Sequence, residues 1–591
     1  MKDYLVLDFE THYDKDYSLK KMPTAQYVRD ERFQILGVAY RRASFPSSRP
    51  AWAEGHDAAV GNLNALPPDI PVVGHNLGFD ALVLMERVLP PHRVPKAPPF
   101  FLDTMLMARY CISQGVLPPD VGTSLAALAR HFGLPEKGDT GEAVDAGGEA
   151  LAEYARHDVW LTEQILHKLM PHCPAMELKL MDLHVRMATD AVLSLDAELC
   201  EAEIEANTMP EDLKKACGSN DKFAALLRKA GVEPETKTSE RTGKEAFAFA
   251  KTDAFMQRLL SDKRPVVRKL AELRLQSKSN LAKNRAERFL LIGSPFPVPL
   301  LYYGAHTGRG SGQDKLNMQN LPGGGRLRRA LKAPPGHKLV ICDSGQIEVR
   351  VLAWLAGEHK LLDICRQADA GEGPDIYVSF SSEHLYGVSP NEVTAKMRKD
   401  AKPVVLAGGF GQGANGLMNY AQAVFGIEME ASEAQRNIDA YRQGFPAIVR
   451  HWRHVMDAVR ANQQTVLPNG RKLTYPNLRY EGRELWYEKH SIFSSKYVGK
   501  RDKVKLWHGL AVENEVQATA RDVVMWQTLQ LAKRWRVVLS VHDEVVLCVP
   551  EDQAEQAKQE ALEWFATAPP WAEGLPLIGE AVISDDYGEK P

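Results

Sequence analysis

The 591-residue sequence has no run of about 18 apolar residues, so no membrane-spanning helix is expected. Cysteine is sparse. The seven residues (Cys111, Cys173, Cys200, Cys217, Cys342, Cys365 and Cys548) are far apart and none forms a Cys-x-x-Cys pair, which argues against a disulfide framework or a structural zinc site. Internal repeats and long low-complexity tracts are missing too, so neither a solenoid nor a disordered chain is indicated. Charge of one sign is not in excess: 73 Lys and Arg against 76 Asp and Glu leave a net charge of −3, no global sign of a polyanionic partner. The opening Met-Lys-Asp-Tyr-Leu-Val-Leu-Asp-Phe-Glu puts acids where a signal peptide needs its apolar stretch, so the expectation is no export signal and a reducing cytoplasm.

What is present is ordinary globular material, 44% hydrophobic and 25% charged, enough for about three to five packed units. Residues 4–9 and 35–40 read as buried strands and residues 149–170 as an apolar-faced helix, giving an α/β unit that closes near Pro171–Pro174. Proline-rich spacers stand at 67–71 and 90–99. Residues 176–292 read as mostly helical, interrupted by a polar stretch at 231–244. Between Arg258 and Arg288 ten Lys and Arg face three Asp and Glu, a basic stretch that serves either as a solvated face or as a nucleic-acid contact. An apolar strand follows at Lys338–Cys342, helices over 346–465, a turn-rich aromatic segment at 468–508, a helix over 511–533 and a hairpin at 535–549.

Two constellations carry chemistry. In the first, Asp8 and Glu10 lie two apart in a strand and emerge on one face. His75-Asn76-Leu77-Gly78-Phe79-Asp80 follows the strand Val72-Val73, and Tyr154 and Asp158 sit four apart on one helix face. Each motif alone has a bland explanation: Asp80 as a helix cap, Tyr154 as packing, Asp158 as a solvated charge. Together, four carboxylates on three elements form an oxygen donor set suited to Mg²⁺ or Mn²⁺, and a pair of such ions can activate water on a phosphodiester.

In the second, Asp343-Ser344-Gly345-Gln346-Ile347-Glu348 begins where an apolar strand ends, and His542-Asp543-Glu544 occupies a hairpin turn 200 positions later. Two aspartates brought side by side would again hold two metals; a merely polar hairpin tip is the plainer reading of the second. Between them Arg398 and Lys402 are four apart, with Phe410 eight further on, so two cations and a ring share a broad helix face suited to a triphosphate and a base. Gly409-Phe410-Gly411-Gln412-Gly413 lacks the lysine of a phosphate loop and is set aside as one.

In order and combination these motifs resemble known families. Residues 1–170 resemble the DEDD superfamily of 3′–5′ exonucleases, in the variant whose third motif is Tyr-x-x-x-Asp. The later segments resemble motifs A, B and C of family A DNA polymerases, the DNA polymerase I type. Thr307-Gly308-Arg309 with Asn317-Met318-Gln319-Asn320-Leu321-Pro322 resembles the primer–template segment, and Asn514-Glu515-Val516-Gln517 the segment before motif C. The resemblance implies an α/β multi-domain chain: an RNase H-like exonuclease domain at 1–175, then a right-hand polymerase with thumb 176–292, palm 293–380 and 506–591, and fingers 381–505.

It implies, further, that Asp8, Glu10, Asp80 and Asp158 bind metal in the exonuclease while Tyr154 holds the attacking water, and that Asp343 and Asp543 bind metal in the polymerase with Glu544 supporting the primer terminus. Arg398, Lys402, Tyr377, Gln346, Leu406 and Phe410 would bind the nucleotide, with Lys402 a proton donor to pyrophosphate and Glu348 excluding a ribose 2′-hydroxyl. Arg309, Asn320, Gln517 and His542 would contact DNA. The implied cofactors are two Mg²⁺ at each site, with Mn²⁺ as substitute. The implied partners are primer–template DNA, deoxynucleoside triphosphates and a single-stranded 3′ end; no membrane is involved.

The sequence departs from the bacterial pattern. Ser344-Gly345 replaces Tyr-Ser, Leu406 stands in place of an aromatic residue, Phe410 replaces tyrosine, Tyr377 replaces histidine and Glu513 replaces asparagine. These changes, and no 5′-nuclease unit ahead of residue 1, resemble the bacteriophage branch, and imply a replicase in the cytoplasm of an infected bacterium. Competing readings are a single-subunit RNA polymerase, opposed by Glu348 and the exonuclease unit; a repair nuclease with a DNA-binding C-terminal part, opposed by Arg398 and Lys402; and a catalytically dead scaffold, which needs none of these carboxylates.

Overall fold

The computed structural model describes residues 3–44, 48–89, 97–238, 243–251, 253–493 and 502–591. Most of the expected spacer at 90–99 and part of the polar stretch at 231–244 lie outside these residues. The chain begins with a mixed five-stranded sheet of order β3-β2-β1-β4-β5, made of β1 (Leu5–Thr11), β2 (Ile35–Arg42), β3 (Ala51–Glu54), β4 (Val72–Gly74) and β5 (Phe101–Asp103). Strand β1 pairs antiparallel with β2 and parallel with β4, in the register Leu5↔Val72 and Val6↔Val73. That register carries Asp8 and Glu10 past the C-terminal end of β4, where an open α/β sheet forms its crevice.

Six of the seven residues of β1 are buried, because helices cover both faces of a central strand. Helix α1 (Gly78–Val83) follows β4 through a turn in which Asn76 adopts φ = 61°. Helix α2 (Thr104–Ser113) is capped by the Asp103 carboxylate, which accepts from Met105 N at 2.8 Å. Helix α3 (Gly148–Leu169) lays Leu151, Ala155, Val159, Ile165 and Leu169 against the sheet, the helical spacing read from the sequence. Helix α4 (Ala175–Thr189) begins directly after Pro174.

The second sheet is antiparallel, with order β7-β8-β6-β9: β6 (His337–Ser344), β7 (Arg536–Val541), β8 (Glu544–Pro550) and β9 (Gly579–Ser584). Leu339–Cys342 in the central β6 are fully buried. One apolar core runs continuously from the first sheet into this one. A second core gathers helices α5 (Ile347–Ala356), α6 (Ala395–Gly409) and α7 (His508–Leu531), with residues such as Val351, Val404, Ile438, Trp452 and Val516. A third, small core of Phe223, Leu227, Phe255, Met256 and Val267 stands among the helices of 211–277.

The unit expected at 176–292 begins inside α4, yet α4 packs on the first sheet: Asp182 accepts from Phe101 N at 2.8 Å and Arg186 donates to Pro98 O at 2.8 Å. Its other side holds α7, where Glu177 accepts both outer nitrogens of Arg521 at 2.7 and 2.9 Å. Helix α4 is apolar on both flanks and is therefore a strut between the sheets. The aromatic segment at 468–508 forms a short hairpin (Gln464–Val466 with Lys472–Thr474) and a three-stranded sheet (Arg479–Glu481, Glu484–Glu488 and Lys503–Leu506), residues 494–501 lying outside the described ones. All seven cysteines are buried and unpaired. Among the described residues no helix is long and apolar enough to cross a membrane.

Candidate active sites

The first constellation closes in space. Asp80, in the first turn of α1, accepts from Phe9 N at 2.9 Å, which binds it to the strand carrying Asp8 and Glu10. Burial pushes the Asp8 carboxyl up to about 6. Burial and the Asp8 charge push Glu10 up to about 8, and the same two causes raise Asp80 well above the usual carboxylate range. Tyr154 and Asp158 present one face of α3 to this cluster, both buried. The Tyr154 hydroxyl lies 2.6 Å from Thr140 Oγ1 and accepts from Lys137 Nζ, and Lys137 also pairs with Asp158 Oδ2.

Two supports in this site escape sequence reading. Lys137 sits on an irregular segment that no motif marks. Asp103 binds the 75–80 turn by accepting from Asn76 N at 3.0 Å and Leu77 N at 2.8 Å while it caps α2. Its signal was available: an aspartate between an apolar strand (Phe101-Leu102) and a helical run is a helix cap.

The second constellation forms across the antiparallel sheet. The register of β6 sets Asp343 opposite Glu544 on one side and Glu580 on the other. Asp543 lies in the two-residue turn between β7 and β8, whose first residue, His542, has φ = 57°, and its carbonyl accepts from Ser344 N at 3.2 Å. Four carboxylates thus crowd one end of the sheet, and burial followed by the charges of Asp543, Glu544 and Glu580 pushes Asp343 up to about 7. Glu544 is buried and gripped by Arg328, at 2.5 Å, and by the Tyr587 hydroxyl. Arg328, Tyr587 and Glu580 were missed in the sequence because their meaning lies in cross-strand register and in the return of the C-terminal strand. Gln346 takes φ = 55° at the start of α5. Asn76, Gln346 and His542, each a non-glycine residue in the left-handed region, mark the three chain reversals that present carboxylates.

The remaining predicted residues divide into two groups. Arg398, Lys402 and Leu406 run down α6 as a half-buried stripe at steps of four, and Phe410 extends it from the C-cap position. The Tyr377 ring lies between the cations, 5.4 Å from the Arg398 guanidinium and 5.5 Å from Lys402 Nζ. Arg398 is held by Asp375 at 2.7 Å, and Asp375 also caps the helix carrying Tyr377. The glycines after Leu406 serve packing: a Cβ on Gly408 would lie 2.6 Å from the Tyr441 ring, and one on Gly409 would lie 2.7 Å from Leu352. In the other group Arg309 pairs with Glu348 at 2.9 Å, and Gln517 donates to Glu513 at 3.2 Å. The Glu348 charge and burial raise the Glu513 carboxyl, with burial the larger cause. Asn320 and His542 are exposed, and the Asn320 carbonyl accepts from Arg285 of the basic stretch at 2.9 Å.

The chemistry of both donor sets suits a hard divalent cation: all ligand atoms are oxygen, crowded and short of compensating charge. Asp158 Oδ1 is buried with no hydrogen-bond partner, a carboxylate oxygen open to a cation. Among the described residues no three His, Cys, Asp or Glu side chains converge as ligands of one ion. Mg²⁺ is commonly held by one or two carboxylates together with substrate phosphates rather than by an all-protein cage.

The fold and these paired-carboxylate sites define a multi-domain α/β protein of the polymerase class. The chain superposes on the "POL domain of Pol1 from M. smegmatis complex with DNA primer-template and dNTP" with TM-score 0.67 and 18% identity, covering 99% of this chain and 96% of that one. Residues 188–589 match the model of DNA polymerase family A, and the chain belongs to that family. Among curated relatives it is 27% identical over 517 residues to the thermostable DNA polymerase I of Thermus thermophilus, 82% of this chain and 55% of that protein. It is 28% identical over 344 residues to the DNA polymerase of Bacillus phage SP02, 53% of this chain and 50% of that protein. The chain therefore spans about half the length of these relatives.

Proposed function

We propose that this chain is a DNA-templated DNA polymerase that extends a primer with deoxynucleotides and excises mispaired 3′ ends at a separate site. The observation that carries the reading is the β6–β8 register, which sets Asp343 beside Asp543 and Glu544 although 200 positions separate the two aspartates in sequence. Asp343 and Asp543 would hold divalent metal here, and Asp8, Glu10, Asp80 and Asp158 in the exonuclease. When bound, Mg²⁺ or Mn²⁺ supplies Lewis acidity toward the primer hydroxyl or water and neutralises phosphoryl charge.

The protein's own groups do the rest. Arg398 and Lys402 take up charge on the pyrophosphate, and Lys402 donates a proton to it. The ion pair of Arg398 Nε with Asp375 fixes the guanidinium on α6. Tyr377 and Leu406 flank the sugar and phosphates, Phe410 faces the nascent pair, and Gln346 and Glu348 border the sugar. The Arg309–Glu348 pair joins a minor-groove probe to the group excluding a 2′-hydroxyl, so base-pair shape and sugar identity act on one hydrogen-bonded unit. Gln517, Asn320 and His542 line the DNA path, and the basic stretch 258–288 grips the duplex without regard to sequence. At the exonuclease, Tyr154 orients the attacking water. The departures at Ser344, Leu406, Phe410 and Tyr377, and the Bacillus phage relative, support a bacteriophage replicase working in the host cytoplasm.

The test is extension of a 5′-labelled primer with Mg²⁺, comparing deoxynucleotides, ribonucleotides and none. Growth with deoxynucleotides and shortening without nucleotides are expected. Asp543→Ala should abolish synthesis and spare excision, and Asp8→Ala the reverse; parallel loss in folded protein would refute the two-site assignment.

A further inference from the structure

The exonuclease carboxylates are crossed by a strap. Residues 137–140 lie over the third motif. Lys137 Nζ donates to the Tyr154 hydroxyl and pairs with Asp158 Oδ2, and it stands 4.5 Å from the Tyr154 ring centre. Gly138 lies so close that a Cβ there would sit 3.2 Å from that ring. Thr140 Oγ1 is 2.6 Å from the same hydroxyl. Asp139 caps the following helix through Glu142 N at 3.0 Å, which fixes where the strap ends. The Lys137 side chain is 22% exposed, and its charge reaches Asp8 and Glu10 as well. The other Asp158 oxygen is buried and unpartnered. One ammonium therefore rests on a carboxylate that, on the exonuclease reading, holds metal.

We propose that Lys137 is a resident counter-cation of the exonuclease site, which gives up Asp158 when a divalent ion binds and thereby sets the metal concentration at which excision begins. The inference rests on the exonuclease reading above. An ammonium and a divalent ion are drawn to the same few ångströms of negative potential, and each raises the energy of the other there. The strap makes the ammonium hard to avoid, because Gly138 and Thr140 hold it down against Tyr154. Lys137 is a positioning residue in this scheme; no bond to the phosphodiester is assigned to it.

Mn²⁺ binding to the full chain tests the proposal by electron paramagnetic resonance of the free ion. The background carries Asp343→Asn and Asp543→Asn, so that the polymerase site does not contribute. Lys137→Met should bind Mn²⁺ on the order of tenfold more tightly, a small part of the repulsion between adjacent like charges at an effective dielectric of about 20. Lys137→Arg, which keeps the charge, should stay near the parent. Asp158→Asn should weaken binding. Unchanged or weaker affinity in Lys137→Met, with Asp158→Asn still sensitive, overturns the counter-cation role and leaves the exonuclease reading standing. Insensitivity of the parent to Asp158→Asn removes that reading and this inference with it.

Discussion

Removing one negative charge from the first site should stabilise the metal-free protein, and only above about pH 4.5. Glu10 has its carboxyl pushed from 4.5 up to about 8 by burial and by Asp8. A carboxyl raised on folding binds its proton more tightly in the native state, so its contribution is full below the unfolded value and is lost as pH rises through the folded one. At about 1.4 kcal/mol per pH unit the interval from 4.5 to about 8 is worth about 5 kcal/mol, shared with Asp8 because the two carboxylates titrate together. Glu10→Gln keeps the shape and cannot ionise. In EDTA, calorimetric unfolding of wild type and variant should coincide near pH 4.5 and separate progressively up to pH 9, the variant melting higher. Mg²⁺ should raise the melting temperature of wild type at pH 8 and close most of the gap, since the ion supplies the charge that the fold lacks. Parallel pH curves for the two proteins in EDTA would refute the reasoning, because they would mean that Glu10 is solvated or already compensated.

The second site yields predictions of other kinds. Tyr587→Phe and Arg328→Met loosen Glu544 and should lower primer extension by roughly 10–100-fold with excision unchanged, read in paired extension and degradation assays. Glu348→Ala opens the space beside the sugar and should raise ribonucleotide incorporation by about 10–200-fold relative to deoxynucleotide, measured as a ratio of kcat/KM values. Arg471→Met removes one of the two arginines on the buried Asp522 carboxylate, Arg521 remaining, and should destabilise the protein by about 1–3 kcal/mol in urea titration.

Much of the fold was legible because its signals are local. The run Leu5–Phe9 is apolar at nearly every position, as a strand covered on both faces has to be, and the α3 stripe repeats at helical spacing. The candidate-site carboxylates were legible because their spacing survives any tertiary arrangement: two apart on a strand, four apart on a helix, one at a strand end, one in a hairpin turn. What failed to show was whatever depends on register or on a third element. Glu580 gains meaning only opposite Asp343, Arg328 only beside Glu544, and Lys137 only where a loop folds back on α3. The strut role of α4 was hidden for a related reason, since a helix apolar on two flanks reads the same whether it starts a unit or joins two.

The segment 468–508 resisted reading for the same cause, and its structure shows what its first turn is for. Arg471 is 4% exposed and bonds four residues on two segments. It pairs with Asp522 of α7 at 3.0 Å, donates to the carbonyls of Thr307 and Ala518 at 3.0 Å each, and reaches the Tyr303 hydroxyl. Thr307 is two residues from Arg309, and Ala518 follows Gln517, so one guanidinium spaces the two residues proposed to probe the minor groove. The same turn is fixed to the first unit, where the Gln114 amide donates to Lys472 O at 3.1 Å and accepts from Lys472 N at 2.8 Å. Arg479, Tyr480 and Arg483 further along are surface groups, Arg479 balanced by Glu481 and Glu488. The geometry splits the segment: its distal sheet packs on the second core through Leu485, Tyr487 and Leu506, and its first turn is a brace that a buried arginine holds between the first α/β unit and α7.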